Sequence, residues 1–360
     1  MKIISIVGVR PNFMKIAPLH KVFQTKKNVE SIIVHTGQHY ERTMSNVFFQ
    51  DLNLPEPKYS LNINKGSISN RLANIILKLE PIIEVEHPDL IIVVGDVTST
   101  LGGALVANKM RIPLAHVEAG LRSHDLTMPE ETNRILTDKI SDFLFITEFA
   151  AKENLIKDGI KEDKIHFVGN LMIDSLVHNL ECAEKIELPI DLKSYALLTM
   201  HRPSNVDNKD NLNQLIRIIS MVTEYIPVVF PLHPRTKSNL ERFELMDNLK
   251  KVNNLKVLSP QGYYSFLKLM KNATVVITDS GGIQEETTFL KIPCITLRNS
   301  TERPCTVDMG TNTLIPNLEL ERIKFTLSRI LNSEYKTGKI PPFWDGKSAE
   351  RVVDVLLNQI

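Results

Sequence analysis

Short runs of apolar, mostly β-branched residues recur along this chain and alternate with segments of helical character. A first series of runs lies at residues 2–7, 31–36, 90–94, 112–117, 143–146 and 165–168. A second series follows at residues 196–199, 228–231, 255–258, 274–278 and 294–297. Strands that alternate with helices predict a parallel sheet covered by helices on both faces. The sequence therefore predicts an α/β chain with two successive doubly wound sheets.

The length of the chain also favours two domains. At 360 residues it exceeds what one hydrophobic core of about 250–300 residues usually serves. We place the first domain at residues 1–170 and the second at 171–346, since the stretch 169–192 joins the two series of strands. The final segment, 347–360, carries an apolar helical stripe that predicts a packed helix, made of Ala349, Val352, Val353, Leu356, Leu357 and Ile360.

Composition excludes several classes of function. A net charge of +1 gives no reason to expect nucleic acid or an anionic membrane as a partner. No CxxC or HExxH spacing occurs, so we expect no metal site, and nothing indicates another cofactor. The N-terminus begins as a strand without the layout of a signal peptide, and no apolar run approaches the roughly 18 residues that span a bilayer. We therefore expect a cytoplasmic protein.

The segment 277–287, ITDSGGIQEET, has the composition of a phosphate-binding loop. It follows an apolar run, and Gly281 and Gly282 would let the backbone turn and approach a ligand closely. We expect a helix from about Ile283, so that its N-terminal N–H groups and dipole would face an anion. The alternative is an ordinary strand-to-helix turn in which Ser280 only caps the helix.

Other polar residues of the first half follow predicted strands, where open parallel sheets bind ligands. Arg10 and Lys15 lie on the first loop and helix, and the alternative for them is a solvated pair. Asp96 and Glu118 each come just after a strand, and Glu130 opens a helix after Pro129. Helix caps and helix N-termini also favour carboxylates. Together, however, these carboxylates favour an acid/base apparatus opposite a phosphate site.

In the second half, His201 and His233 each end a predicted strand and each has an arginine close by in sequence. A lone histidine is usually structural, but two such clusters favour function. Arg303 follows a further strand, and arginine suits bidentate contacts with phosphate. The segment 261–266, QGYYSF, offers an amide and aromatic rings that could hold a planar base.

Taken in order, these motifs resemble those of the non-hydrolysing UDP-N-acetylglucosamine 2-epimerases. The resemblance covers nearly the whole chain and rests on GVRPNFMKIAPL, HTGQHY, GDVTST, HVEAGLR, MPEETNRILTD, TMHR, HPRTK, TDSGGIQEE, LRNSTERP and DGKSAERV. It implies a GT-B fold of two Rossmann-like domains with the active site in the cleft between them and the C-terminal helix returned to the first domain. It also implies a UDP-sugar as substrate and a homodimer.

The resemblance assigns roles to particular residues. Asp96, Glu118 and Glu130 would be the catalytic carboxylates, and His201 would act beside them at the diphosphate. The remaining residues would bind substrate, the diphosphate first and then the ribose, the uracil and the rest of the cleft: Ser280, Gly281, Gly282, Arg10, Arg303, Glu286, Gln261, Phe266, Lys15 and His233.

The sequence departs from the family pattern at a few places. Asn12 stands where the family often has glutamate, and Pro203-Ser204-Asn205 replaces Arg-Glu-Asn. The stretch before Pro129 is two residues shorter than in many bacterial members. Bacterial members have an allosteric site built partly from the segment that corresponds to Gln38-His39, which continues differently here.

The implied activity inverts C2 of the sugar through loss of UDP, a 2-acetamidoglucal intermediate and re-addition of UDP. Three alternatives remain open at this point: a relative that acts on UDP-2,3-diacetamido-glucuronic acid, a GT-B glycosyltransferase, and a catalytically silent nucleotide-sugar binding protein. A shared fold does not separate them.

Overall fold

The computed structural model describes residues 1–37, 54–63 and 65–360. The segment that begins at Gln38-His39 lies outside these residues. The chain divides into two compact units, one made of Met1–His178 with Pro342–Ile360 and the other of Asn179–Pro341. Each unit has its own parallel sheet.

The first unit is built on a parallel sheet that has seven strands among the described residues. The strands are β1 (Lys2–Val7), β2 (Glu30–His35), β3 (Tyr59–Ser60), β4 (Leu90–Val94), β5 (Leu114–Val117), β6 (Phe143–Ile146) and β7 (Ile165–Phe167). Their order across the sheet is β3-β2-β1-β4-β5-β6-β7. The helices between them are α1 (Arg10–Gln24), α2 (Ile68–Glu86), α3 (Thr98–Met110), α4 (Pro129–Ile140), α5 (Phe149–Lys157) and α6 (Leu171–Glu184), with a 3-10 turn at Glu162–Lys164.

The second unit repeats this plan with a six-stranded parallel sheet. Its strands are β8 (Ala196–Thr199), β9 (Val228–Pro231), β10 (Leu255–Leu258), β11 (Val275–Thr278), β12 (Cys294–Thr296) and β13 (Asn312–Leu314), in the order β10-β9-β8-β11-β12-β13. The helices are α7 (Pro203–Val206), α8 (Lys209–Thr223), α9 (Pro234–Arg242), α10 (Met246–Lys250), α11 (Tyr263–Lys271), α12 (Gly281–Leu290), α13 (Pro304–Asp308) and α14 (Leu320–Leu331), with a 3-10 turn at Pro316–Leu318.

Both sheets change direction of winding beside their first strand. In the first sheet β1 lies between β2 and β4, and in the second β8 lies between β9 and β11. The central strands β4 and β11 are buried along their whole length, which is why they read as continuous apolar runs. In open α/β sheets the crevice at this switch point, at the carboxyl ends of the strands, is where ligands bind.

The predicted α/β class and the predicted runs of both sheets are confirmed, with differences at the edges. Strand β3 has only two residues and β13 is largely polar, so neither produces the apolar run that identifies a buried strand. The expected start of α12 at Ile283 is wrong, because the helix begins at Gly281. Both glycines therefore lie in its first turn, and Glu285 and Glu286 lie beyond it.

The last helix, α15 (Ser348–Gln359), belongs to the first unit. Asp174 of α6 accepts hydrogen bonds from the backbone N–H groups of Ser348 (3.1 Å) and Ala349 (2.7 Å), which otherwise lack helical partners. Val352 and Leu356 are fully buried, whereas Leu357 and Ile360 are 37% and 47% exposed, so the apolar stripe packs along the helix as far as Leu356.

Candidate active site

The loop after β1 is fastened to β4 by the side chain of Asn12. Its Oδ1 accepts hydrogen bonds from the N–H groups of Gly8 (3.0 Å) and Val9 (3.2 Å), and its Nδ2 donates to the carbonyl of Val94 (3.1 Å). A Cβ on Gly8 would collide with the Ser99 hydroxyl, so only glycine allows this approach. Asn12 therefore has a structural role here. Arg10 begins α1 and is exposed to solvent.

Lys15 and Glu118 form a buried ion pair. The side chain of Lys15 is 7% exposed and that of Glu118 is 6%, so the interpretation of Lys15 as a solvated cation is wrong. Glu118 follows β5 with a φ of 68°, a left-handed conformation that is strained for a residue with a side chain. Such strain at a charged residue is common at functional sites.

Asp96 follows β4 and is held by α4. Arg134 forms an ion pair with its carboxylate, and the Asn133 side chain donates to its backbone carbonyl at 2.8 Å. The alternative of Asp96 as a helix cap is not what the structure has, because Val97 occupies the N-cap of α3 without a side-chain bond. The Asp96 side chain remains 33% exposed and so can reach a ligand.

The two glutamates at the start of α4 differ in their surroundings. Glu131 is 1% exposed and accepts hydrogen bonds from the Ser123 N–H (2.9 Å), the Ser123 hydroxyl (2.8 Å) and the His124 N–H (3.0 Å). It therefore stabilises the preceding loop. Glu130 is only half-buried in the first helical turn, where the helix dipole favours a charged carboxylate.

His116, which the sequence analysis did not single out, stabilises the backbone next to Asp96. One ring nitrogen, Nε2, lies 2.8 Å from the Gly95 carbonyl, and Nδ1 lies 2.7 Å from the Asp138 carboxylate. Because Gly95 directly precedes Asp96, this contact fixes the backbone from which Asp96 projects. Its position inside the HVEAGLR motif was the available signal.

In the second unit, the N-terminus of α12 and Arg303 form a cradle. Ser280 is the N-cap residue but makes no side-chain cap hydrogen bond, so it does not have the purely structural role weighed above. A Cβ on Gly281 would lie 2.8 Å from Nη1 of Arg303, so the guanidinium packs directly against this glycine. Gly282 follows in the same turn.

Buried carboxylates hold the Arg303 guanidinium. Its Nε lies 2.8 Å from Oε1 of Glu285, and its Nη1 lies 3.4 Å from Glu302. Glu302 also receives two hydrogen bonds from Arg298, at 2.8 and 3.0 Å. Burial raises the pKa of the Glu302 carboxyl, but the two arginines outweigh burial and hold this pKa far below its usual range. Only their presence in the motifs could have indicated a role for Glu285, Arg298 or Glu302.

The two predicted histidines are neighbours. The ring centroids of His201 and His233 are 5.1 Å apart. Nδ1 of His233 accepts the Arg235 N–H at 3.2 Å, and burial lowers the pKa of His233. His233 is therefore a neutral ring beside His201, whose partner is the buried carboxylate of Asp279.

The residues predicted to hold the nucleoside lie on α11, on α12 and on the loop just before α11. Gln261 lies just before α11 and donates to the Ser259 carbonyl at 2.8 Å, and Phe266 is half-buried on this helix. Glu286 is 5% exposed, and the Tyr263 hydroxyl donates to it at 3.3 Å. A fixed carboxylate of this kind suits the two hydroxyls of a ribose.

The structure thus sorts the predicted residues into two sets. Acidic groups with one buried lysine gather at the strand ends of the first unit, namely Asp96, Glu118, Glu130 and Lys15. A helix N-terminus with histidines and arginine gathers at the strand ends of the second unit, namely His201, His233, Ser280, Gly281, Gly282 and Arg303. In the part of the chain that the structure describes, no cluster of metal-binding side chains and no helix long and apolar enough to cross a bilayer is found.

The two Rossmann-like units, each with its own parallel sheet, define a protein of the GT-B fold class. A family model described as UDP-N-acetylglucosamine 2-epimerase matches residues 21–357. The chain belongs to this family.

Full-length relatives support the same assignment. The chain is 45% identical over 366 residues to the UDP-N-acetylglucosamine 2-epimerase of Methanocaldococcus jannaschii, with 99% of each chain covered. It is 37% identical to the UDP-2,3-diacetamido-2,3-dideoxy-D-glucuronate 2-epimerase of Pseudomonas aeruginosa, again with 99% of each covered.

Solved structures agree with the fold. The crystal structure of the Methanocaldococcus jannaschii UDP-GlcNAc 2-epimerase in complex with UDP-GlcNAc and UDP matches with a TM-score of 0.91 and 44% identity, over 99% of this chain and 100% of that one. A lipopolysaccharide outer core galactosyltransferase matches with a TM-score of 0.59 and 15% identity over the full length of both chains, which shows a shared fold alone.

Proposed function

We propose that this protein interconverts UDP-N-acetylglucosamine and UDP-N-acetylmannosamine by inverting C2 of the sugar. The observation that carries the proposal is the 45% identity, over 99% of both chains, to an enzyme of that name. The arrangement of acidic groups in one unit and an anion cradle in the other supports the same reaction.

The chemistry explains why both sets of groups are needed. No carbonyl group lies next to C2–H in the substrate, so direct removal of this proton would give an unstabilised carbanion. Loss of the C2 proton together with cleavage of the C1–O bond avoids this, because the electron pair forms the C1–C2 double bond of 2-acetamidoglucal and UDP leaves. Protonation of C2 from the opposite face and attack of UDP at C1 complete the inversion.

The cradle of the second unit serves the leaving group. We assign the diphosphate to the N–H groups at Ser280, Gly281 and Gly282, with Arg303 against them. A helix N-terminus and a fixed guanidinium stabilise the negative charge that develops on UDP, and they need no reorganisation during the reaction. His201 and Arg10 would complete this set.

The uridine would be bound next to this cradle. Glu286 would accept hydrogen bonds from the ribose hydroxyls, and Gln261 and Phe266 would hold the uracil. His233 would line the same site as a neutral ring. These assignments place substrate recognition on the second unit and leave the sugar ring to the first.

The carboxylates of the first unit would move the protons. Removal and return of a proton on opposite faces of C2 requires two acid/base groups or one that is reorganised, and Asp96, Glu118 and Glu130 supply them. Lys15 balances the charge of buried Glu118, and Arg134 fixes Asp96. General acid/base groups of this kind typically contribute about 10²–10⁴-fold in rate.

A second candidate substrate is a UDP-2,3-diacetamido uronate, which is favoured by the 37% identity to the Pseudomonas aeruginosa enzyme over 99% of both chains. Its reaction at C2 would be the same. It differs by an acetamido group at C3 and by the uronate carboxylate, for which the active site would need an additional cation.

One experiment tests the reaction and its mechanism together. The purified protein is incubated in deuterated buffer with UDP-N-acetylglucosamine and no acceptor, and the products are followed by NMR. We expect the manno epimer with deuterium at C2. A product that retains its proton at C2 would contradict elimination, and turnover only with an added acceptor would identify a glycosyltransferase. A parallel incubation uses the UDP-2,3-diacetamido uronate instead. Conversion of this substrate but not of UDP-N-acetylglucosamine would identify the second candidate.

We also propose that the protein is a homodimer, as the family resemblance implies, and that it is cytoplasmic, as its N-terminal sequence leads us to expect. Light scattering on the purified protein and fractionation of the source cells test these two points. A monomer at all protein concentrations would contradict the homodimer.

A further inference from the structure

Asp279 is a buried carboxylate that no step of the proposed mechanism uses. It directly follows β11, precedes Ser280 and is 0% exposed. Its oxygens accept hydrogen bonds from the N–H groups of His201 (3.1 Å) and Arg202 (2.8 Å), and from Nδ2 of Asn205 (3.2 Å). These donors lie on the loop after β8 and on the short helix α7 that follows it, so one carboxylate holds this segment beside the cradle.

The same carboxylate also contacts the ring of His201. Nδ1 of His201 lies 3.2 Å from Oδ1 of Asp279. Burial raises the pKa of Asp279, but hydrogen bonds from His201, Arg202 and Asn205 outweigh it and bring this pKa below its usual range. Asp279 is therefore ionised and can only accept, so the proton of this contact belongs to Nδ1 of His201.

The groups around the His201 ring determine which of its nitrogens a ligand can reach. Asp279 lies against its ring, and Arg202 is its neighbour in the chain. His233 on the other side is neutral. Since the side chain of His201 is 36% exposed, its Nε2 is the polar ring atom that a ligand can reach.

We propose that Asp279 is a positioning residue for His201. It holds the imidazole in the Nδ1–H form and in a fixed orientation, so that Nε2 is presented to the departing diphosphate. A carboxylate that fixes the tautomer and orientation of a histidine acts in this way in hydrolases and metal sites. The inference deepens the proposed function and rests on it for the identity of the ligand, but not for the tautomer of His201.

The tautomer can be measured directly by ¹⁵N NMR of the histidine rings, at a pH above the ordinary range of histidine titration. The substitution His201→Gln assigns the signal. We expect Nδ1 of His201 to carry the proton in the unmodified protein. A neutral ring with the proton on Nε2 would overturn the inference, whether or not any variant folds.

The variant Asp279→Asn should reverse this state. The side-chain oxygen of the new asparagine must face the backbone N–H groups of His201 and Arg202, because only the oxygen can accept their hydrogen bonds. The NH₂ group of the asparagine then faces the His201 ring and donates to Nδ1. We therefore expect the proton to move to Nε2. An unchanged His201 signal in a folded Asp279→Asn protein would overturn the inference.

A double-mutant cycle separates positioning from a merely structural role. Asp279→Asn should lower kcat by roughly 10- to 100-fold, a coupling typical of residues in direct contact, and should cause no further loss when His201 is already glutamine. Equal losses in both backgrounds would overturn the inference. Asn205→Ala is the matched control, since it removes a partner of Asp279 and leaves the His201 ring contact, so a kcat loss as large as that of Asp279→Asn would also contradict it.

The NMR measurement distinguishes the failure of the proposed function from the failure of this inference. If the unmodified protein does not epimerise UDP-N-acetylglucosamine, the proposed function fails. The NMR measurement of the His201 tautomer still supports or overturns the role of Asp279.

Discussion

The loops after β4 and β11 occupy the same position in two sheets that share the order of their first six strands, and each loop carries an aspartate. Asp96 in the first unit is 33% exposed and held by one arginine. Asp279 in the second unit is 0% exposed and accepts several N–H groups of a neighbouring loop. The same residue type at the same topological position therefore has an open carboxylate in one unit and a fully engaged one in the other.

The contrast extends to the neighbouring strand ends. The loop after β5 carries Glu118 paired with Lys15, whereas the region after β12 carries Arg303 paired with Glu285 and Glu302. In the first unit a cation supports an acid, and in the second acids support a cation. The fold provides the position in both, and the partner of each charge decides which group remains for the ligand.

The largest effect should follow from removing an open carboxylate of the first unit. Asp96→Asn and Glu130→Gln should each lower kcat by about 10²–10⁴-fold, because each would remove an acid/base group. Affinity for UDP should stay nearly unchanged, since the cradle lies in the other unit. Steady-state kinetics and calorimetry measure the two quantities.

The exposed Glu153 on α5 gives a matched control, and Glu153→Gln should change neither quantity. A variant of Asp96 that lost UDP affinity and retained kcat would break the division of roles between the units.

A somewhat smaller effect concerns a histidine that the first unit keeps neutral. His35 ends β2, and burial lowers its pKa to about 4. In the unfolded chain His35 titrates near the usual histidine pKa of about 6.5. Between this pH and about pH 4, the unfolded state therefore binds the proton more tightly than the folded state does. The free energy of unfolding should therefore fall as the pH drops from about 6.5 towards 4, by up to about 3 kcal/mol, and His35 should add no further loss below that range.

Urea unfolding over a pH series measures this dependence. His35→Asn should flatten it, whereas His87→Asn at an exposed helix end should leave it unchanged. An equally steep curve for His35→Asn would assign the dependence to other groups.

A moderate effect should follow from filling the space against the cradle of the second unit. Gly281→Ala places a methyl group where Nη1 of Arg303 lies 2.8 Å away, so the guanidinium must move. Overpacking of this kind costs about 1–3 kcal/mol, and we expect roughly a tenfold loss of UDP affinity by calorimetry.

The same substitution in an Arg303→Ala background tests the cause. With the guanidinium gone, the added methyl group should cost little. An undiminished loss there would mean that Gly281 meets the ligand itself and not Arg303.

The smallest effect is expected from chelation. The cations of the cradle are protein side chains and a helix N-terminus, so turnover should survive prolonged treatment with EDTA. Loss of activity that only a divalent ion restores would show that the second unit does not neutralise the diphosphate by itself.

The sequence alone determined the fold class and most of the strands, because buried parallel strands leave continuous apolar runs of a characteristic length. It missed β3 and β13, which lie at sheet edges and are too short or too polar to leave that signal. It also determined which residues are candidates for the site, since charged residues that directly follow a buried strand must lie at one edge of the sheet.

Tertiary structure decided what each candidate does. Glu130 and Glu131 are adjacent in sequence, yet one is half-buried and the other holds a loop through three hydrogen bonds. Asp96 and Asp279 differ in the same way, and Lys15 is buried because Glu118, distant in sequence, compensates its charge. Burial and pairing of charges depend on residues brought together from distant parts of the chain, so local sequence patterns do not contain them.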